Sequence, residues 1–166
     1  MADDPARQAA ELHRRLLDRG HTVATAESLT GGRLGMLLTE AAGSSATYVG
    51  GVVAYATALK VEVLGVPRDL VARYGVVSAE CALAMARGVR ALTGATYGVS
   101  TTGVAGPDRQ EGKAVGTVFI GVAGPGADSA LALELVGSRS RIRERTCDEA
   151  VSALSAILSG NKEGLG

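Results

Sequence analysis

Aromatic side chains are scarce in this 166-residue chain, at 3% of the total, and tryptophan is absent. The 17 lysines and arginines are balanced by 17 aspartates and glutamates. The chain therefore lacks both the basic footprint and the stacking rings of a nucleic-acid binder. Two cysteines and two histidines, none at ligand spacing, argue against a zinc site. Cys81 and Cys147 stand singly in helical patterns and read as reduced core thiols. No apolar run approaches the ~18 residues of a membrane span, and Met1-Ala-Asp-Asp-Pro lacks the basic and apolar regions of a secretion signal. A soluble cytoplasmic protein without a membrane partner is expected. The shortage of histidine also restricts catalysis. A Ser-His-Asp triad would need His13, which sits among arginines, or His21, which follows a glycine stop; both read more simply as surface or turn residues.

What is present is apolar (46%) and rich in glycine (23 residues), which fits one compact domain with many tight turns. Asp4 and Pro5 open a first helix, with Ala9, Leu12, Leu16 and Leu17 on one face and Gly20 at its end. A strand at 22–26 and a helix at 33–42 follow. The run 49–55 is too apolar for a sheet face open to water and predicts a central strand. Short helices follow at 60–64 and from Pro67 to Gly75. Ser78 caps a helix to residue 92, with Cys81, Met85, Val89 and Leu92 inward. A strand at 97–101, a hairpin of strands at 115–122 and 130–136, and a last helix after Ser138 complete the chain. This alternation predicts a three-layer α/β/α sandwich over a mixed, mostly parallel sheet of about five strands. The single domain spans 1–166, with frayed ends at 1–4 and 160–166.

Three stretches rich in hydroxyls or glycines follow predicted strands, at 28–32, 55–60 and 102–106. They are expected to share one rim of the sheet, where ligand crevices form in open α/β folds. The first, Thr25-Ala-Glu-Ser-Leu-Thr-Gly-Gly32, gathers a hydroxyl beside the free N–H groups of a helix start. Acyl transfer, phosphate binding and simple capping all use that combination. If the site is catalytic, Ser28 is the nucleophile, and Lys60 or Tyr55 takes its proton. Burial beside Leu59, Val61 and Val63 would lower the lysine toward the range useful to a general base, with Tyr55 relaying the proton. A tyrosine at the sheet rim and a snorkelling lysine are the plainer alternatives. The polar segment 107–112 predicts a mobile loop bordering a pocket. Ser138 and Arg139 at a helix start suit either a phosphate or an ordinary cap. Neither a dinucleotide nor a Walker pattern is present.

Taken together, Thr25-Ala-Glu-Ser-Leu-Thr-Gly-Gly32, Gly43-Ser-Ser45, Tyr55-Ala-Thr-Ala-Leu-Lys60 with Leu64-Gly-Val66, Gly75-Val-Val-Ser78, and Thr102-Gly-Val-Ala-Gly-Pro107 with Val115-Gly-Thr117 resemble the CinA C-terminal domain family. The likeness runs from about Thr22 to Leu158. It implies a stand-alone nicotinamide-nucleotide amidohydrolase that converts nicotinamide mononucleotide to nicotinic acid mononucleotide and ammonia. Ser28, Tyr55 and Lys60 would be catalytic, with no metal or cofactor, in a homodimer. Thr30, Gly31 and Gly32 would steady the oxyanion, and Thr102, Gly103 and Gly106 would line the nucleotide pocket, with Arg139 on the phosphate. The other reading is a nucleotide-binding or regulatory domain of the same fold without the chemistry. A purely structural interaction module would leave the three strand ends unexplained. The chain departs from the family pattern at Asp108-Arg-Gln-Glu-Gly112 and Lys113-Ala-Val-Gly116, where glycines and a Lys-Pro-Val-Gly run are usual. That departure bears on substrate preference.

Overall fold

The computed structural model describes residues 4–126 and 128–163. Helix α1 (Pro5–Arg19) begins where the Asp4 carboxylate accepts the Ala6 N–H, and it ends at Gly20 in the left-handed region. Strand β1 (Val23–Glu27) is buried along its whole length. It is followed by α2 (Arg33–Thr39), β2 (Tyr48–Val53), α3 (Thr57–Glu62), α4 (Arg68–Tyr74) and α5 (Ala79–Thr93). Then come β3 (Tyr97–Gly103), β4 (Thr117–Ala123), β5 (Ser129–Glu134) and α6 (Arg139–Glu163). Of the ends expected to fray, Asp4 is a cap and α6 runs on to Glu163; 1–3 and 164–166 lie outside the described residues.

The sheet order is β2-β1-β3-β4-β5. β1 pairs in parallel with β2 and with β3, and β4 is antiparallel to both β3 and β5. Four of the five strands therefore point the same way, and the expected hairpin closes the far edge. One apolar cluster joins α1, α2 and α6 through Leu12, Leu34, Ile142 and Leu154; a second joins the segment after α3 to α5 through Leu64, Met85 and Val89. Helices thus cover both faces, giving the three-layer sandwich.

The 49–55 run is not central. β2 is an edge strand whose alternate residues face outward, leaving Val49 49% and Val53 45% exposed. Its apolar character reflects a solvent-facing row of Val49 and Val53 with Gly51 between them, not burial on two faces. Leu17 and Leu92, expected inside, are also exposed. In α5 the buried positions beside Cys81, Met85 and Val89 are instead Ala82 and Ala86. These small residues let the helix sit directly on the sheet. A Cβ at Gly98 would collide with the Ala86 carbonyl, and one at Gly121 with that of Ala82. Both thiols are free and buried, and burial pushes Cys147 up to about 12 and Cys81 up to about 11.

Candidate active site

Ser28 is the first residue beyond β1, the strand flanked by parallel neighbours on both sides. Its N–H donates to the Thr101 carbonyl (3.0 Å) at the end of β3, while the Ala54 N–H donates to the Glu27 carbonyl (2.8 Å) on the β2 side. The ends of three parallel strands therefore fix the backbone of Ser28, as expected of a crevice at the carboxyl edge of such a sheet.

Lys60 lies one turn into α3 and is 1% exposed. Its Nζ donates to Ser28 Oγ at 2.9 Å, to the Ala54 carbonyl at 2.7 Å and to the Tyr55 carbonyl at 3.2 Å. Burial lowers its pKa from the usual 10.5, an effect partly opposed by the Glu111 carboxylate. Of the three expected neighbours, Leu59 and Val63 are exposed and Val61 is half-buried. The two carbonyls are decisive for the chemistry. A neutral amine has two N–H bonds and one lone pair. As an ammonium Lys60 has a donor for each of the three oxygens; once neutral, with its two N–H bonds kept on the main-chain oxygens, it would turn its lone pair to the serine hydroxyl. Among the described residues no carboxylate forms an ion pair with this amine.

The Tyr55 hydroxyl is not part of this pair. It accepts a hydrogen bond from Arg139 (3.0 Å), which also donates to the Gly106 carbonyl (2.6 Å). The proton relay expected of Tyr55 is therefore replaced by its main-chain carbonyl, which holds Lys60. Arg139, expected on a phosphate, ties two walls of the cavity together. Ser138 acts as a cap, accepting from the Arg141 N–H (3.2 Å).

The 28–32 turn is organised by Glu27, which sequence reasoning left out of the site. Its carboxylate is buried and accepts from Thr30 Oγ1 (2.6 Å), Gly32 N (3.2 Å), Leu34 N (2.8 Å) and Gly35 N (3.0 Å). An anion thus takes up the N–H groups at the start of α2. The Gly31 N–H donates to the Ser28 carbonyl (3.1 Å). The expected oxyanion donors Gly31 and Gly32 are consequently engaged elsewhere. The Thr30 side chain, 0% exposed, serves Glu27 and Thr101. Arg143 braces the same turn from α6, bonding the Leu29 carbonyl at 2.9 Å. The signal for Glu27 was its position, as the last strand residue before a helix start rich in free N–H groups.

A cavity of about 410 Å³ opens over the pair, lined by Ser28, Leu29, Tyr55, Lys60 and the 102–110 segment, with Arg139 at its side. That is a size typical of small-molecule sites, which span roughly 300–1,000 Å³. Thr102, Gly103 and Gly106 line it as expected; Thr30, Gly31 and Gly32 do not. The Thr102 hydroxyl is turned to the Val76 carbonyl (2.7 Å). The expected mobile loop is clamped. The Glu111 carboxylate accepts from the N–H groups of Val76 and Val77, both at 2.9 Å, and the Lys113 ammonium bonds the Val77 carbonyl. His13 bonds Thr47 and His21 packs on Tyr97, so neither histidine reaches Ser28. Among the described residues no helix is long and apolar enough to cross a membrane.

A serine hydroxyl on a buried lysine amine, at the carboxyl ends of parallel strands, defines a serine–lysine site in an α/β/α sandwich. The profile of the CinA C-terminal domain matches residues 6–158, and the chain belongs to that family. It is 48% identical over 145 residues to a "CinA-like protein" of Frankia casuarinae, covering 87% of this chain and 34% of that one. It is 46% identical over 128 residues to a "putative competence-damage inducible protein" of Bacillus subtilis, covering 77% and 31%. The chain thus spans about a third of the length of the curated relatives it matches. Among solved structures, the competence damage-inducible protein A of Klebsiella pneumoniae superposes with a TM-score of 0.92 at 32% identity, covering 95% of this chain and 98% of that one. The Agrobacterium tumefaciens protein CihA gives 0.81 at 35%, covering 90% and 95%.

Proposed function

We propose that the chain is a nicotinamide-nucleotide amidohydrolase, hydrolysing the carboxamide of nicotinamide mononucleotide to nicotinic acid mononucleotide and ammonia. The observation that supports this most is the 2.9 Å contact between Lys60 Nζ and Ser28 Oγ. Ser28 Oγ attacks the carboxamide carbon and passes its proton to neutral Lys60. The same proton goes to the amide nitrogen as the C–N bond breaks, and ammonia leaves. Water then attacks the acyl ester, Lys60 takes a proton from it, and Ser28 regains its hydrogen. The oxyanion takes a hydrogen bond from the Leu29 N–H, which follows the nucleophile at the cavity wall and is not among the engaged donors of the turn. Tyr55 holds Lys60 through its carbonyl and walls the cavity with its ring. No cofactor enters the scheme.

A homodimer belongs to the same proposal. The exposed Val49 and Val53 row on edge strand β2 is the type of surface that a second copy covers. Equilibrium sedimentation of the chain and of Val53→Glu tests it; a wild-type monomer at all concentrations contradicts it. For the activity, products are followed from nicotinamide mononucleotide, with free nicotinamide as control. Equimolar ammonia and nicotinic acid mononucleotide are expected. No product at any pH between 6 and 10 removes the reading, and nucleotide binding without ammonia release would favour a regulatory domain.

A further inference from the structure

Three basic side chains line the cavity: Lys60, Arg109 and Arg139. Two are occupied within the protein. Lys60 serves Ser28 and two carbonyls, and Arg139 holds Tyr55 and Gly106. The Arg109 guanidinium has no acceptor among the described residues, and Asp108, its neighbour on the same rim, forms no ion pair with it. An unpaired, exposed arginine is ordinary on a surface, but this one stands on a backbone that is held in place. Two residues later Glu111 takes positive φ (54°) and grips the Val76 and Val77 N–H groups. Gln110 and Lys113 close the turn through reciprocal main-chain bonds (3.4 and 2.9 Å). Lys113 adds its bond to the Val77 carbonyl. Val76 and Val77 themselves line the cavity. A planar guanidinium suits a phosphate monoester, which it can bind in a bidentate manner.

We propose that Arg109, held at the cavity mouth by the Glu111 and Lys113 clamp, binds the phosphate of the substrate and selects a nucleotide over its nucleoside. This rests on the amidohydrolase reading for the identity of the substrate, but not for the presence of an anion subsite. Arg109 is a specificity residue, and Glu111 positions it.

The test is calorimetric binding of nicotinic acid mononucleotide and of nicotinic acid riboside to wild type, Arg109→Gln and Arg109→Lys. No turnover is involved. Wild type is expected to prefer the phosphorylated ligand by about 10- to 100-fold, the range of one charge-assisted contact. Arg109→Gln should reduce that preference to within threefold, and Arg109→Lys should keep part of it. Preference retained in Arg109→Gln, or absent from wild type, overturns the assignment. So does an equal loss for both ligands, which would make the loop merely structural. Ammonia release by wild type is measured beside it. Phosphate preference without ammonia release would remove the amidohydrolase reading and leave Arg109 in place; ammonia release with preference unchanged in Arg109→Gln would do the reverse.

Discussion

Lys60 Nζ lies 2.9 Å from Ser28 Oγ, with its other contacts on the main-chain oxygens of Ala54 and Tyr55. Each change of Lys60 charge therefore changes what Ser28 can do. Because burial lowers the lysine pKa, the neutral base is populated at lower pH than for a free lysine. Ammonia release should rise with pH along a single basic-going limb whose midpoint lies below 10.5. Lys60→Met should lose that limb and about 10²–10⁴ in rate. A limb unchanged in Lys60→Met would assign it to another group.

The same shift predicts a stability effect. A lysine whose folded pKa is depressed leaves the unfolded chain binding more protons between the folded value and 10.5, so stability rises with pH across that window. Below the folded value the penalty for a buried ammonium is present in full. Urea unfolding of wild type against Lys60→Met from pH 6 to 10.5 should show the difference closing in favour of wild type as pH rises. A constant difference would contradict the shift.

Glu27 gathers four hydrogen bonds at the Ser28 turn, three of them from main-chain N–H groups. Glu27→Ala leaves those buried donors without an acceptor and should cost about 2–4 kcal/mol in urea unfolding. Turnover should fall with it, since the turn that carries Ser28 loses its anchor. A loss under 0.5 kcal/mol would show that the carboxylate is incidental.

Glu111 clamps the 107–113 segment to the 75–78 turn. Removing the carboxylate in Glu111→Ala should free the segment, so that trypsin cuts after Arg109 at least fivefold faster than in wild type. Equal cutting rates would mean that the clamp does not restrain the loop.

Residue type and strand-end placement, which are local properties, marked Ser28, Lys60 and Tyr55 in the sequence. With histidine scarce, Lys60 or Tyr55 was left as the base, and the likeness to the CinA C-terminal domain family joined them to Ser28; that the amine and not the phenol meets the hydroxyl is read from the fold. The sandwich was equally legible from the alternation of periods, and so were the Asp4 and Ser78 caps. The place of β2 was not, because an exposed valine row on an edge strand and a doubly buried strand have the same composition. The partner of the Tyr55 hydroxyl lies 84 residues away on α6. The use of Glu111 as a clamp depends on a turn 34 and 35 residues earlier. Such pairings are set by how helices and loops return over the sheet, which no local pattern encodes. The loop at 107–112 was expected to be mobile on its polar composition, yet its own Glu111 and the adjacent Lys113 are what secure it.

The central claim is that Ser28 performs the attack, and the most direct measurement is the rate of ammonia release from nicotinamide mononucleotide by Ser28→Ala at the pH optimum of wild type. The expected result is a fall of about 10³-fold or more in a folded variant that still binds the nucleotide. Release within tenfold of wild type would contradict the account.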